Sequence, residues 1–185
     1  MNEPKNDLYD IEKVRQHARH SIENGPVTQD YPLDLDQACA LLNEALATEI
    51  MCVLRYRHHE VAAKGITSEE IAAEFAEHAV SEERHMMMLA RRIDQLGGNP
   101  ELDPMRVADR AITEYGNASD IRAMLEDDLV AERIVIEVYR KMIEWFGTAD
   151  PTTRRMLEKI LKDEEEHADD LADLLATDAT SLTFM

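Results

Sequence analysis

Four stretches of this chain repeat apolar residues at steps of three and four, and every one of the repeats is interrupted by glutamate. The first runs Ala38, Leu42, Ala45, Glu49, Cys52, Tyr56. The second runs Ile71, Phe75, His78, Glu82, His85, Leu89, with Arg92 and Leu96 beyond. Leu125, Asp128, Glu132, Val135, Tyr139, Met142 and Phe146 make the third, and Leu157, Ile160, Glu164, His167, Leu171 and Leu174 the fourth. Such spacing places each set on one face of an α-helix, and no strand-like alternation competes with it. Four apolar faces of this kind bury one another as a left-handed four-helix bundle with crossing angles near 20°.

Glycines, prolines and capping residues divide the chain accordingly. Asp34 or Asp36 opens a first long helix that reaches about Lys64 and stops at Gly65. Thr67 with Glu70 forms a capping box for a second helix, which ends at Gly97-Gly98. The break from 99 to 117 contains Pro100, Pro104, Gly116 and Asn117, with room for a short helix from about Pro104 to Tyr115. Ser119 opens a third helix to Phe146, stopped by Gly147. Asp150 and Pro151 supply an N-cap and a proline in the first turn for a fourth, ending near Thr177. Val14 to Ile22 forms a short extra helix. The expected organisation is an N-terminal extension (1–33), an all-α bundle (34–177) with a long crossover between its second and third helices, and a C-terminal tail (178–185).

A chain of 185 residues that is 44% hydrophobic can bury a core of this size. Its 39 acids against 20 bases give a formal charge of −19, which disfavours nucleic acid as a partner, because phosphate binding needs clustered Lys and Arg. The first 30 residues carry Lys5, Lys13, Arg15 and Arg19 against six acids, so they form no basic tail. Neither a transmembrane run nor a secretory leader is expected. Cys39 and Cys52 on one helix lie about 20 Å apart along its axis, too far to bridge each other. A reducing cytoplasm follows as the expected location.

The glutamates carry the chemistry. Glu49, Glu82, Glu132 and Glu164 sit on the core seams, with His85 and His167 one turn beyond two of them. Four neighbouring buried carboxylates repel and resist desolvation unless neutralised. Two divalent cations and two neutral imidazoles bring the sum to zero. An oxygen and imidazole donor set without thiolate suits Fe or Mn, with Zn as a further possibility. Chance alone yields about 0.8 Glu-x-x-His matches from seven His and 22 Glu, and two are present. The specificity lies in the joint pattern. Glu49 precedes Glu82 by 33 residues and Glu132 precedes Glu164 by 32, and each lone glutamate has a tyrosine seven residues on, Tyr56 and Tyr139. The chain reads as two related helix pairs around one site. The alternative is an acidic bundle whose glutamates face solvent.

Two lone glutamates with two Glu-x-x-His motifs are the constellation of ferritin-like di-iron bundles. From about residue 34 to 176 the sequence resembles the bacterioferritin and Dps-like branch of the ferritin superfamily. The likeness is carried by Glu44-Ala45-Leu46-Ala47-Thr48-Glu49, Ser81-Glu82-Glu83-Arg84-His85, Asp128-Leu129-Val130-Ala131-Glu132 and Asp163-Glu164-Glu165-Glu166-His167. The resemblance implies that Glu82 and Glu164 bridge two irons per subunit. Glu49 with His85 would complete one iron's shell, and Glu132 with His167 the other's. It also implies that Tyr56 stands beside the site and that Asp163 orients His85. Ser81, a weaker acceptor, occupies the matching position for His167, so the two metals are expected to differ in affinity.

Bacterioferritins bind haem through a methionine directly after the second helix's bridging glutamate; Glu83 stands there, so no haem is expected. The long break before the third helix and the Ala131-Glu132-Arg133 to Val138-Tyr139 context look more like Dps-like proteins with a bacterioferritin-type site. That implies a homo-oligomeric shell, a dodecamer ahead of a 24-mer. The expected activity is ferroxidase and iron storage: Fe(II) is oxidised by O2 or H2O2, ferric mineral is held in the shell, and oxidative stress is relieved. The competing reading is a manganese catalase or di-iron oxygenase on the same bundle. Outside the site, His78 is expected to be a satisfied core histidine, His58 and His59 solvated surface, Cys52 a buried filler and Trp145 packing.

Overall fold

A computed structural model describes residues 8–64, 68–116 and 118–181. Among the described residues there are six α-helices and no strand: α1 (Ile11–His17), α2 (Leu35–Ala62), α3 (Ser68–Gln95), α4 (Pro104–Arg110), α5 (Ile121–Phe146) and α6 (Pro151–Ser181). A 3-10 turn, Ile22–Asn24, follows α1.

The four long helices pack as antiparallel neighbours, and side-chain pairs along their length set the directions. Arg55, late in α2, meets Asp128, early in α5, while Glu49 meets Tyr139 further on. His85 of α3 meets Asp163 of α6, and His167 lies back beside Glu82. Because α2 and α3 are joined by a short connection, as are α5 and α6, the chain must cross the full length of the bundle between α3 and α5. The crossover does so along α2, pinned at three levels. Asn43 donates to the Asn99 carbonyl and accepts from the Glu101 amide at 2.8 Å; Thr48 Oγ1 accepts from the Ile112 amide at 3.0 Å; Arg55 Nη1 donates to the Glu114 carbonyl at 2.9 Å. Midway, Val107 of α4 packs against Ala47 and Met51.

Capping chemistry explains the boundaries. Asp34 accepts from the Gln37 amide at the start of α2. At α5 the cap is Asp120, which accepts from the Ala123 amide, not Ser119 as expected; a carboxylate is also favoured there by the helix dipole. The anticipated Thr67 cap and Gly65 stop lie outside the described residues. The short first helix runs Ile11–His17 and not Val14–Ile22, because Asp10 caps it by accepting from the Glu12 and Lys13 amides. The helix at Pro104 ends at Arg110, before the expected Tyr115, and α6 continues to Ser181, past the expected Thr177. Gly97 has φ 81°, and a side chain on its neighbour Gly98 would meet the Cys39 sulfur at 2.6 Å, so the paired glycines both end α3 and admit α2.

Nearly every residue of the four seams is buried; Leu174, near the end of the fourth, is half-buried. α2 is apolar and long enough to cross a membrane by composition, yet its face is taken up by the bundle core and holds Glu49. At the end where α6 begins, Arg92 donates to Asp150 Oδ2 at 2.8 Å and to Thr153 Oγ1 at 2.8 Å, and Tyr31 donates to the same carboxylate. Burial works against the Asp150 charge, but hydrogen bonds from Thr153, Arg92 and Tyr31 outweigh it and hold the carboxyl down to about 2. This cluster anchors the segment before α2 to the bundle.

Candidate metal centre

Midway along the bundle the apolar core gives way to charge. Glu49, Glu82, Glu132 and Glu164 are all within 1% of fully buried, and His85 joins them at that depth. Their donor atoms fall into two groups, each gathered within 4.8 Å: Glu49, Glu82, His85 and Glu164, and Glu82, Glu132, Glu164 and His167. Glu82 and Glu164 belong to both. The structure therefore brings together all six residues singled out as ligands from the sequence. His85 Nδ1 lies 3.0 Å from Glu164 and 3.3 Å from Glu82; His167 Nδ1 lies 3.1 Å from Glu82 and 3.2 Å from Glu164.

The surroundings hold the lone glutamates reciprocally. Tyr56 of α2 donates to Glu132 of α5, and Tyr139 of α5 donates to Glu49 of α2. Tyr139 thus stands to Glu49 as Tyr56 does to Glu132. The two imidazoles are treated differently. His85 turns Nε2 to Asp163 at 3.2 Å, whereas His167 stacks its ring on His78, with centroids 4.3 Å apart and planes at 27°.

The donor set fits two divalent cations on a direct test. Each of the four glutamates retains one buried oxygen without a hydrogen-bond partner: Glu49 Oε2, Glu82 Oε1, Glu132 Oε2 and Glu164 Oε1. Orphaned buried acceptors are rare and costly, and here four converge. Without cations, protons do the neutralising. Burial and the Glu82 charge push Glu49 up to about 8, and burial with the charges of Glu164 and Glu82 pushes Glu132 well above the carboxylate range. Burial opposes charge on His167, but the adjoining carboxylates of Glu164 and Glu82 win and carry it up to about 11; His85 is raised in the same way by Glu164, Glu49 and Glu82. All four shifts favour the protonated forms, and cation binding must displace whatever protons these groups hold. Loading with Zn(II) at pH 7 should release protons, more than two per chain if the glutamates as well as the imidazoles are protonated, read by calorimetry in buffers of different ionisation enthalpy. Release of two would mean that the glutamates were already ionised, and release of none that the imidazoles were neutral as well.

Sequence reasoning missed one buried cluster beside the site. His59 is fully buried, not solvated: its Nδ1 sits 2.8 Å from Asp128 Oδ2, while Arg55 Nε donates to Asp128 Oδ1 at 2.7 Å. The signal was present, since Arg55 and His59 continue the Cys52 face at steps of three and seven, and Asp128 was a seam carboxylate without a partner. His58 is exposed, as expected. His78 is buried, yet it is not satisfied: neither ring nitrogen has a hydrogen-bond partner.

An all-α bundle with four core glutamates and two histidines defines a carboxylate-bundle protein of the ferritin-like class. Residues 39–180 match the ferritin-like domain family, and the chain belongs to that family. It is similar to a "Nutrient stress-induced DNA-binding protein" of Synechococcus sp., at 34% identity over 79% of this chain and 85% of that one. A bacterioferritin of Desulfovibrio desulfuricans is 28% identical over 69% and 68%. Among solved structures, the dodecameric thioferritin of Bacteroides fragilis superposes with a TM-score of 0.77 at 31% identity, covering 82% of this chain and 90% of that one.

Proposed function

We propose that this chain is a ferroxidase and iron-storage protein, binding two Fe(II) per subunit at the paired centre and passing their electrons to O2 or H2O2. The observation that supports it best is the convergence of four orphaned glutamate oxygens with two imidazoles in an otherwise apolar core. Iron supplies the redox chemistry: two Fe(II) give two electrons, which with two protons reduce O2 to H2O2, or H2O2 to two waters. The protein supplies position and charge. Glu82 and Glu164, shared by both donor groups, would hold both ions; Glu49 with His85 would complete one set of donors and Glu132 with His167 the other. Tyr56 and Tyr139 keep the lone glutamates aimed inward, and Asp163 fixes the His85 ring. Mn or Zn would fit the same donors.

The ferric product is proposed to collect in a hollow homo-oligomeric shell, a dodecamer ahead of a 24-mer, so that the protein limits oxidative stress. The dodecameric relative, matched over most of its length, supports this. Two free cysteines accord with a cytoplasmic setting. Exposed Glu83 offers no soft axial ligand, so no haem is assigned. The Synechococcus relative is named as DNA-binding, but a charge of −19 without a basic N-terminal segment favours no nucleic-acid role here.

The test is aerobic Fe(II) oxidation followed by absorbance at two and at about fifty irons per chain. Fast oxidation of the first two, with the excess kept soluble, is expected. Fast oxidation with precipitation of the excess would overturn storage and leave a di-metal redox enzyme, of the manganese catalase or oxygenase kind.

A further inference from the structure

His78 is 2% exposed, sits one turn before Glu82 on α3, and has no hydrogen-bond partner at either ring nitrogen. Its Nε2 nevertheless points between two carboxylates, 3.3 Å from Glu74 Oε1 and 3.7 Å from Asp170 Oδ2. The three donor atoms all lie within 4.8 Å of one another. Metal–ligand bonds of about 2.0–2.2 Å place adjacent donors roughly 3.0–3.6 Å apart in tetrahedral or octahedral geometry. The Glu74 oxygen falls inside that range and the Asp170 oxygen just beyond it, within reach of a small side-chain movement, whereas neither contact has hydrogen-bond geometry.

We propose that Glu74, His78 and Asp170 form a third divalent-cation site, taking Fe(II) or Zn(II), next to the paired centre. An imidazole with two carboxylates selects a borderline transition metal over Ca(II) or Mg(II), which prefer oxygen donors alone. The site is reachable: Asp170 is 51% exposed and Glu74 32%, and both line a cleft of about 270 Å³ that also reaches His167. In that cleft the carboxylates Glu74, Glu77, Asp163, Glu166 and Asp170 face a single guanidinium, Arg84, so cations concentrate there. The stacked His78 and His167 rings both line the cleft, and His167 also belongs to the second donor group, so the rings lie between the two sites. A cation held on the outer side of those rings is one step from the second donor group. Its service as a loading station rests on the ferroxidase reading above; its existence as a binding site does not.

Equilibrium dialysis of the full chain against Zn(II), combined with anomalous diffraction from Zn(II)-soaked crystals, tests this. Wild type should hold three tight ions per chain, with an anomalous peak among Glu74, His78 and Asp170. Asp170→Asn, altered at an exposed position, and His78→Leu should each hold two, with at least tenfold weaker binding at the third. Ions adhering loosely to the acidic surface would affect all forms alike. An unchanged count in both variants, or no peak at His78, overturns the proposal. Glu82→Ala is the separate control: if it loses no ion, the paired centre is wrong, and the wild-type comparison with Asp170→Asn still decides the third site.

Discussion

Glu82→Ala should abolish the fast phase of Fe(II) oxidation, slowing it by about 100-fold or more. Loss of a partner that merely orients a ligand costs 10–100-fold in affinity or activity, and Glu82 belongs to both candidate donor groups. One oxygen faces His167 at 3.1 Å and the other faces His85 at 3.3 Å, so its removal strips both donor groups at once. Burial and Glu164 work against its charge, but hydrogen bonds with Glu49, His167 and His85 hold it below the usual carboxylate range. That charge favours cation binding. Glu82→Gln, with the same shape, should retain the fold and suffer a comparable loss. A stopped-flow trace for Glu82→Ala that matched wild type would place oxidation elsewhere.

Asp128→Ala should cost about 3–5 kcal/mol of stability, read from urea unfolding. Asp128 is fully buried and serves two partners that are equally inaccessible: Arg55 at 2.7 Å and His59 at 2.8 Å. Alanine would strand a guanidinium at 1% exposure, and an unpaired buried charge is among the few causes of so large a loss. Asp128→Asn keeps an acceptor and should lose less. Arg55 also holds the Glu114 carbonyl, so the variant should loosen the end of the crossover, visible as faster amide exchange at 112–116. A loss within 1 kcal/mol would show that Arg55 finds another acceptor.

Most of the fold was legible because period and caps are local. Asp34, Gly147 and Asp150 mark helix ends through their own backbone chemistry, and seam residues such as Leu42, Phe75 and Leu157 declare a face by spacing alone. The six metal-ligand candidates were legible for the opposite reason: glutamates on an apolar seam contradict their surroundings. What could not be read depended on contacts between helices. His59 looked like a solvated helix end until Asp128 arrived from α5, and His78 looked satisfied until its neighbours proved to be two carboxylates in poor hydrogen-bond geometry. The Asp120 cap was passed over for Ser119 because both residue types cap well and only backbone geometry separates them.

The division of donors between the two helix pairs bears on how the chain assembles. Each donor group takes three residues from one hairpin and its fourth, Glu164 or Glu82, from the other. The hairpins join elements near in sequence and so close early, whereas their docking must wait for the long crossover. Neither hairpin alone owns a complete set of donors. A half-folded chain therefore offers a cation at most three of the four donors of either group, so a cation favours the docked state and by mass action weights the balance toward it. Any cation that fits the paired donors would thus also report completed folding: the full set of four around it exists only when the last step of the chain's own assembly is done.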